Sequence, residues 1–144
     1  MSMHTLIPLE AKDEWDDALK NIRHSFSHTW NNCYAMHLTT THRTFLYLYE
    51  NGNTKIVCPI AEREFEGHKD IVTPYGFSGF TGNSDCPDFP HQWKEFAKES
   101  GYVCGYISIN PAFENKSYFE AKDAVSRTSI YYIDLDRSCK QDDK

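Results

Sequence analysis

His24 and His28 stand four residues apart, the spacing at which two imidazoles share one helix face and bind a metal together. The zinc-protease form of that pair is H-E-x-x-H, but Ser25, Phe26 and Ser27 intervene here. No third ligand of suitable spacing accompanies them, so no metal is expected, and capping or surface roles suit both better. Ser78 lies in Gly76-Phe77-Ser78-Gly79-Phe80, one glycine short of the G-x-S-x-G nucleophile elbow. The elbow also needs a helix directly after it, and none is signalled before Asp88. Gly76, Gly79 and Gly82 recur every three residues. That fits neither the dinucleotide turn nor the P-loop, whose Lys-Ser/Thr pair is missing. A tight loop needing positive φ explains the glycines. It leaves Tyr75, Phe77 and Phe80 on a loop without a purpose, and such aromatics suit a binding wall. Arg63 follows the apolar Cys58-Pro59-Ile60-Ala61 and precedes Glu64 and Glu66. Two readings stand side by side: a surface ion-pair partner, or a strand-end arginine facing the same crevice as the loop and gripping a carboxylate or phosphate.

The elements that must position these residues follow from periodicity. Trp15, Ala18, Leu19 and Ile22 make one apolar stripe, so Lys12 to Arg23 is predicted as a helix with acidic first turns. Thr29 to Leu38 is a second helix burying Trp30, Cys33 and Tyr34, capped by Ser27 or Thr29. The period then shifts to two. Thr44–Glu50, a turn at Asn51-Gly52-Asn53 and Lys55–Ile60 predict a hairpin over Thr44–Arg63, with Pro59 at an edge or bulge. Asp70–Thr73 is a short strand entering the Pro74–Asn83 loop. Asp88–Ser100 carries the clearest helix signals: Asp88 as N-cap, Pro90 in the first turn and Gly101 as the stop. Tyr102–Ile109 lacks polar alternation, which predicts a central strand covered on both faces. Thr128–Leu135 is the last predicted strand. The order is not a βαβ alternation, so the expected class is mixed α/β (α+β) and not a Rossmann or barrel fold.

The 144 residues suit a single domain over residues 1–144 with a polar tail at 136–144. Lys plus Arg is 15 against 21 Asp plus Glu, a net charge of −6, which argues against nucleic acid as a partner. No window reaches the length of a membrane span, and no secretory signal opens the chain. Five cysteines without a C-x-x-C read as free thiols in a reducing, cytoplasmic setting.

Taken in order, several segments resemble a known family. These are His28-Thr29 opening a helix, a hairpin ending Pro59-Ile60-Ala61-Glu62-Arg63, and Asp70 with Thr73-Pro74-Tyr75-Gly76-Phe77-Ser78-Gly79. The strand ending Ile109-Asn110-Pro111 and the closing Tyr132-Ile133-Asp134-Leu135 complete the set. The succession, from about His24 onward, resembles the N-terminal half of tandem-GNAT, Fem-like acyl-CoA N-acyltransferases. In that family a "P-L-x-x-R" hairpin end precedes an "S-P-Y-G-Y-x-G" loop, and an "R-x-N-P" strand end follows. The resemblance implies a GNAT-like half-domain, a mixed and largely antiparallel sheet flanked by helices, whose second half carries the acyl donor. It also implies that Arg63, Pro74, Tyr75, Gly76, Phe77, Ser78, Gly79, Asn110 and His28 line the acceptor cleft. The donor turn, Arg/Gln-x-x-Gly-x-Gly/Ala, follows none of the arginines or glutamines. No cofactor is therefore expected in this chain, with acyl-CoA entering only if a partner half supplies its site.

The leading expectation is an acceptor-binding domain related to an acyltransferase, with His28 and His37 as titratable candidates and no assigned base. The rival is a stand-alone, non-catalytic binding or interaction module. A purely structural fragment is the third option. The partner is a small-molecule acceptor together with a second half. If that half is missing, the apolar Thr128–Leu135 strand predicts a homodimer in its place.

Overall fold

The computed structural model of the chain describes residues 1–113, 115–127, 129–131 and 135. Its centre is the hairpin of β2 (Arg43–Asn51) and β3 (Thr54–Phe65), paired in unbroken antiparallel register from Arg43↔Glu62 to Asn51↔Thr54. Along β2 the side chains sort by type. Leu46 and Leu48 point to one face, and Phe45, Tyr47 and Tyr49 to the other, all buried. A strand apolar on both faces needs a layer on each.

Helix α1 (Lys12–Leu19) and helix α2 (Trp30–Thr40) supply the first layer, packing Trp15, Ala18, Leu19 and Cys33, with Ile22 just beyond α1, against Leu46, Leu48 and Val57. Helix α3 (Phe89–Glu99) supplies the second, setting Phe89, Trp93 and Phe96 on Tyr47, Tyr49 and Phe80 in mostly edge-to-face aromatic contacts. The sheet runs in the order β1 (Ser2–Pro8), β2, β3, β4 (His68–Val72) and β6 (Tyr102–Tyr106), with β5 (Thr81–Gly82) paired to β3. All ladders are antiparallel except that of β4 with β6. The class is α+β, as expected. Among the described residues no helix is long and apolar enough to cross a membrane.

Several boundaries depart from expectation for identifiable reasons. The first strand, β1 (Ser2–Pro8), was not foreseen, because an edge strand needs only partial burial and its alternation is weak. Helix α1 stops at Leu19: Lys20 is extended and Asn21 takes φ 61°, yet Ile22 still reaches the core. In α2, Cys33 is buried, but Trp30 is only half-buried and Tyr34 is exposed. Thr29 is its cap, with Oγ1 accepting from Asn32 N–H. Asp88 precedes α3 without a capping bond, and its carboxylate accepts from Gln92 instead.

Pro59 lies in a central strand, fully buried opposite Leu46. On its other side β3 pairs with β5 at Ile56–Val57 and with β4 from Ala61. The missing N–H thus falls in the gap between two partners, a local edge inside a central strand.

The largest correction concerns β6. It is an edge strand rather than a central one, ends at Tyr106, and leaves Val103 and Tyr106 about 60% exposed (62% and 60%). Helices α1 and α2 do not extend over this side of the sheet. Of the strand expected at Thr128–Leu135, the described residues 129–131 and 135 carry no ladder; the remainder lies outside the described residues.

Trp15 is fully buried and donates its indole N–H to the His28 carbonyl (3.0 Å). Trp15→Ala is expected to cost about 3–5 kcal/mol, whereas Leu38→Gln on the exposed side of α2 should change stability by less than about 0.5 kcal/mol. Equilibrium urea unfolding checks both. Equal losses would contradict this account of the first layer.

Candidate functional site

The chain between β4 and β5 is held by its carbonyls. His28, in the 3₁₀ turn Phe26–His28, is fully buried, and its Nε2 lies 3.1 Å from the Gly79 carbonyl. A carbonyl only accepts, so Nε2 carries the proton. Nδ1 then accepts the Ser25 backbone N–H at 3.1 Å. Asn110 Nδ2 donates to the Phe77 carbonyl (2.8 Å), while its Oδ1 accepts from Ala112 N–H (2.9 Å). Ser25 Oγ donates to the same Phe77 carbonyl at 3.3 Å. Three side chains from two distant segments therefore fix two carbonyls of one loop.

Gly79 shows why a glycine is needed. Its φ is +62°, and a Cβ there would lie 2.9 Å from Ile109 Cα and 3.0 Å from the Ser108 carbonyl.

With the backbone fixed, the side chains divide. Pro74, Ser78 and Phe80 turn inward and are buried; Tyr75 (89%) and Phe77 (49%) stand in solvent. Phe26 joins them, 69% exposed, between Ser25, which bonds Phe77, and Ser27, which abuts Gly76. Beside Phe26 opens a cleft of about 320 Å³, floored by Leu19 and Trp30 and rimmed by Asp16, Lys20 and His24. Phe26 and Ser25 escaped the sequence reading. The only available signal was a serine three residues before His28, a turn-capping spacing.

The structure thus brings His28, Pro74–Gly79 and Asn110 together, and it sets Arg63 elsewhere. Arg63 makes a bidentate ion pair with Asp70 on β4 (Nε–Oδ1 2.9 Å, Nη2–Oδ2 2.5 Å). The Asp70 hydrogen bonds raise the guanidinium pKa, and the same contact lowers that of Asp70. The groove it lines, of about 720 Å³, is formed with His42, Glu64, Phe65, His68, Asp70, Val103 and Cys104, none of them from the loop. The ion-pair reading of Arg63 holds; the shared crevice does not.

The chemistry open to this site is narrow. Burial lowers the His28 pKa to about 4, outweighing the Gly79 hydrogen bond that favours the cation. With Nε2–H committed and Nδ1 occupied, His28 is a positioning group and no base near neutral pH. The Ser78 hydroxyl is sealed and finds no hydrogen-bond partner among the described residues, so it has neither the exposure nor the base of a nucleophile. His37 donates Nδ1–H to the His42 carbonyl (2.6 Å) at the end of α2, away from the loop's contacts. Binding, rather than proton transfer, is what the arrangement suits. No protein-family model, curated protein or solved structure matches the chain.

Two outcomes follow. A neutral buried imidazole makes the unfolded chain bind more protons than the folded one between its ordinary pKa of 6.5 and about 4. His28 should therefore remove stability as pH falls through that window, by about 3 kcal/mol at the lower end. In urea titrations between pH 7 and 4, His28→Gln should be less stable at pH 7 yet show a shallower loss; parallel curves would exclude the assignment. Gly79→Ala should lower stability by more than about 1 kcal/mol, combining left-handed strain with a backbone clash. A neutral result would mean that the loop is not fixed as described.

Proposed function

We infer that the chain is an acyltransferase-related domain of the GNAT, Fem-like kind that binds an acceptor-type small molecule and does not transfer acyl groups by itself. The observation carrying this reading is a loop whose backbone is pinned by His28, Ser25 and Asn110 while Tyr75 and Phe77 project into solvent beside Phe26. Exposed aromatics are costly in water. Rigid ones lose little further entropy when a ligand covers them, which favours recognition. The 320 Å³ cleft beside Phe26, which shares that residue but none of the loop's, lies at the lower end of the range for small-ligand sites, about 300–1,000 Å³. On the family side, support comes from the ordered motifs and from the α+β class with its largely antiparallel sheet.

A stand-alone, non-catalytic binding module is the second reading. It is favoured by His28, the one buried histidine among the described residues, being neutral and fully engaged. In either case a donor site for acyl-CoA would come from a partner half.

Titration of the labelled chain with free amino acids and short peptides bearing a primary amine, followed by amide NMR shifts, tests the binding reading. Saturable shifts are expected across residues 74–79 and 26, weakened at least tenfold in Tyr75→Ser/Phe77→Ser. Shifts confined to other segments would refute the site. In calorimetry, acetyl-CoA should give no saturable heat, and one-to-one micromolar binding would overturn the view of the chain as lacking a donor site.

A further inference from the structure

On the side of the sheet where α1 and α2 stop, an apolar margin surrounds β6. Phe65 is 75% exposed on β3, Val103 and Tyr106 are exposed on β6, and the free thiol of Cys104 lies between them. Beyond β6 no strand pairs among the described residues. Tyr106 turns its carbonyl to the Thr73 N–H on the β4 side (3.1 Å). Alternation along the strand therefore turns the N–H and C=O of Gly105 to the open side. Soluble proteins guard such edges with charge, but Tyr-Val-Cys-Gly-Tyr has none, and the register shift beside Val103 is its single irregularity.

We propose that this margin is the interface of a homodimer, in which β6 pairs antiparallel with β6 of a second copy around a two-fold axis at Gly105.

Two observations point to a second copy. The first is electrostatic. Chains of net charge −6 repel one another, and the face they share must be neutral. β6 itself is uncharged; beside it Arg63 and Asp70 form a bidentate pair, Glu64 lines the same groove, and Lys69 lies over the Tyr102 ring. The second is register. An axis at Gly105 sets Cys104 of one protomer opposite Tyr106 of its partner on the same face, a small group against a large one, since both follow the side of the sheet occupied by Asp70 and Val72. Gly105 itself needs no room on the opposite face, where a Cβ would lie 2.8 Å from Ile71 Cγ1.

The opposite edge is less suited. β1 ends in Pro8, which has no N–H, and its one large exposed apolar side chain is Met3.

Sedimentation velocity and light scattering on the full chain should give twice 16.8 kDa. Tyr106→Asp should raise the dimer dissociation constant at least tenfold with an unchanged circular dichroism spectrum, whereas Tyr75→Ser should leave the dimer intact. Should Tyr106→Asp fail to fold, a short bismaleimide on the unmodified chain still decides the matter. It should join two copies at Cys104, mapped by mass spectrometry, and not in Cys104→Ser. A monomer at every concentration up to the millimolar range overturns the proposal, as does a dimer that lacks the Cys104 cross-link. The amine titration at Tyr75 and Phe77 is independent, so either result can fail while the other stands.

Discussion

The constraint on which the rest of this structure depends is the two-sided burial of the β2–β3 hairpin. Leu46, Leu48 and Val57 on one face and Tyr47, Tyr49, Ile56, Cys58 and Ile60 on the other cannot face water together. A three-layer arrangement is the minimal answer. Tyr47 adds a polar demand: its buried hydroxyl is met by His4 Nδ1 at 2.8 Å, and burial raises the phenol pKa steeply. The same His4 ring stacks on Phe96 at 5.1 Å, so one side chain of the unforeseen β1 both satisfies the hydroxyl and closes the aromatic layer. The edge strand is thus a working part of the second core.

Cover runs out where the helices end. Layer one stands over β1, β2 and the first half of β3, whereas the far half of β3 and the adjoining parts of β4 and β6 show Arg63, Phe65, Asp70, Cys104 and Tyr106 to solvent on that side. On the other side, Tyr102 is drawn in, donating its hydroxyl to Glu62 at 2.6 Å. β6 therefore has one finished face and one unfinished one. That asymmetry separates the two surfaces considered above: an aromatic loop beside the Phe26–His28 turn, and an apolar margin at the sheet edge.

Much of the fold was legible because periodicity records burial directly. Trp15, Ala18, Leu19 and Ile22 were placed in the core by spacing alone, and all four are there. The hairpin was signalled by its Asn-Gly turn, and α3 by Pro90 and Gly101. β6 was misread for a physical reason: an apolar run has the same composition whether its second cover comes from the same chain or from outside it. Pro59 was half legible, since sequence shows that an N–H is missing but not that a gap between β5 and β4 will receive it. Within the site, the Pro-Tyr-Gly-Phe-Ser-Gly loop stood out, but the direction of each side chain did not. That direction is set by three hydrogen bonds to carbonyls, one of which comes from Ser25, 52 residues away. Arg63 looked equally ready for a ligand or an ion pair, and only the Asp70 register on β4 decided between them.

The loop's rigidity also rests on a protonation state. His28 holds Gly79 through Nε2–H while Nδ1 receives an N–H from Ser25; adding a proton to Nδ1 sets it against that backbone donor, with the Ser25 hydroxyl 3.1 Å away as its nearest acceptor. The ring is enclosed on another side by Phe113, 5.9 Å away between centroids, which offers the added charge no hydrogen-bond partner, and by His24, whose own charge would oppose it. The imidazole consequently stays neutral well below its ordinary range, and the presentation of Tyr75 and Phe77 is insensitive to pH near neutrality. A histidine in this position acts as a structural clamp, and the aromatic wall inherits its firmness from that clamp rather than from any contact of its own.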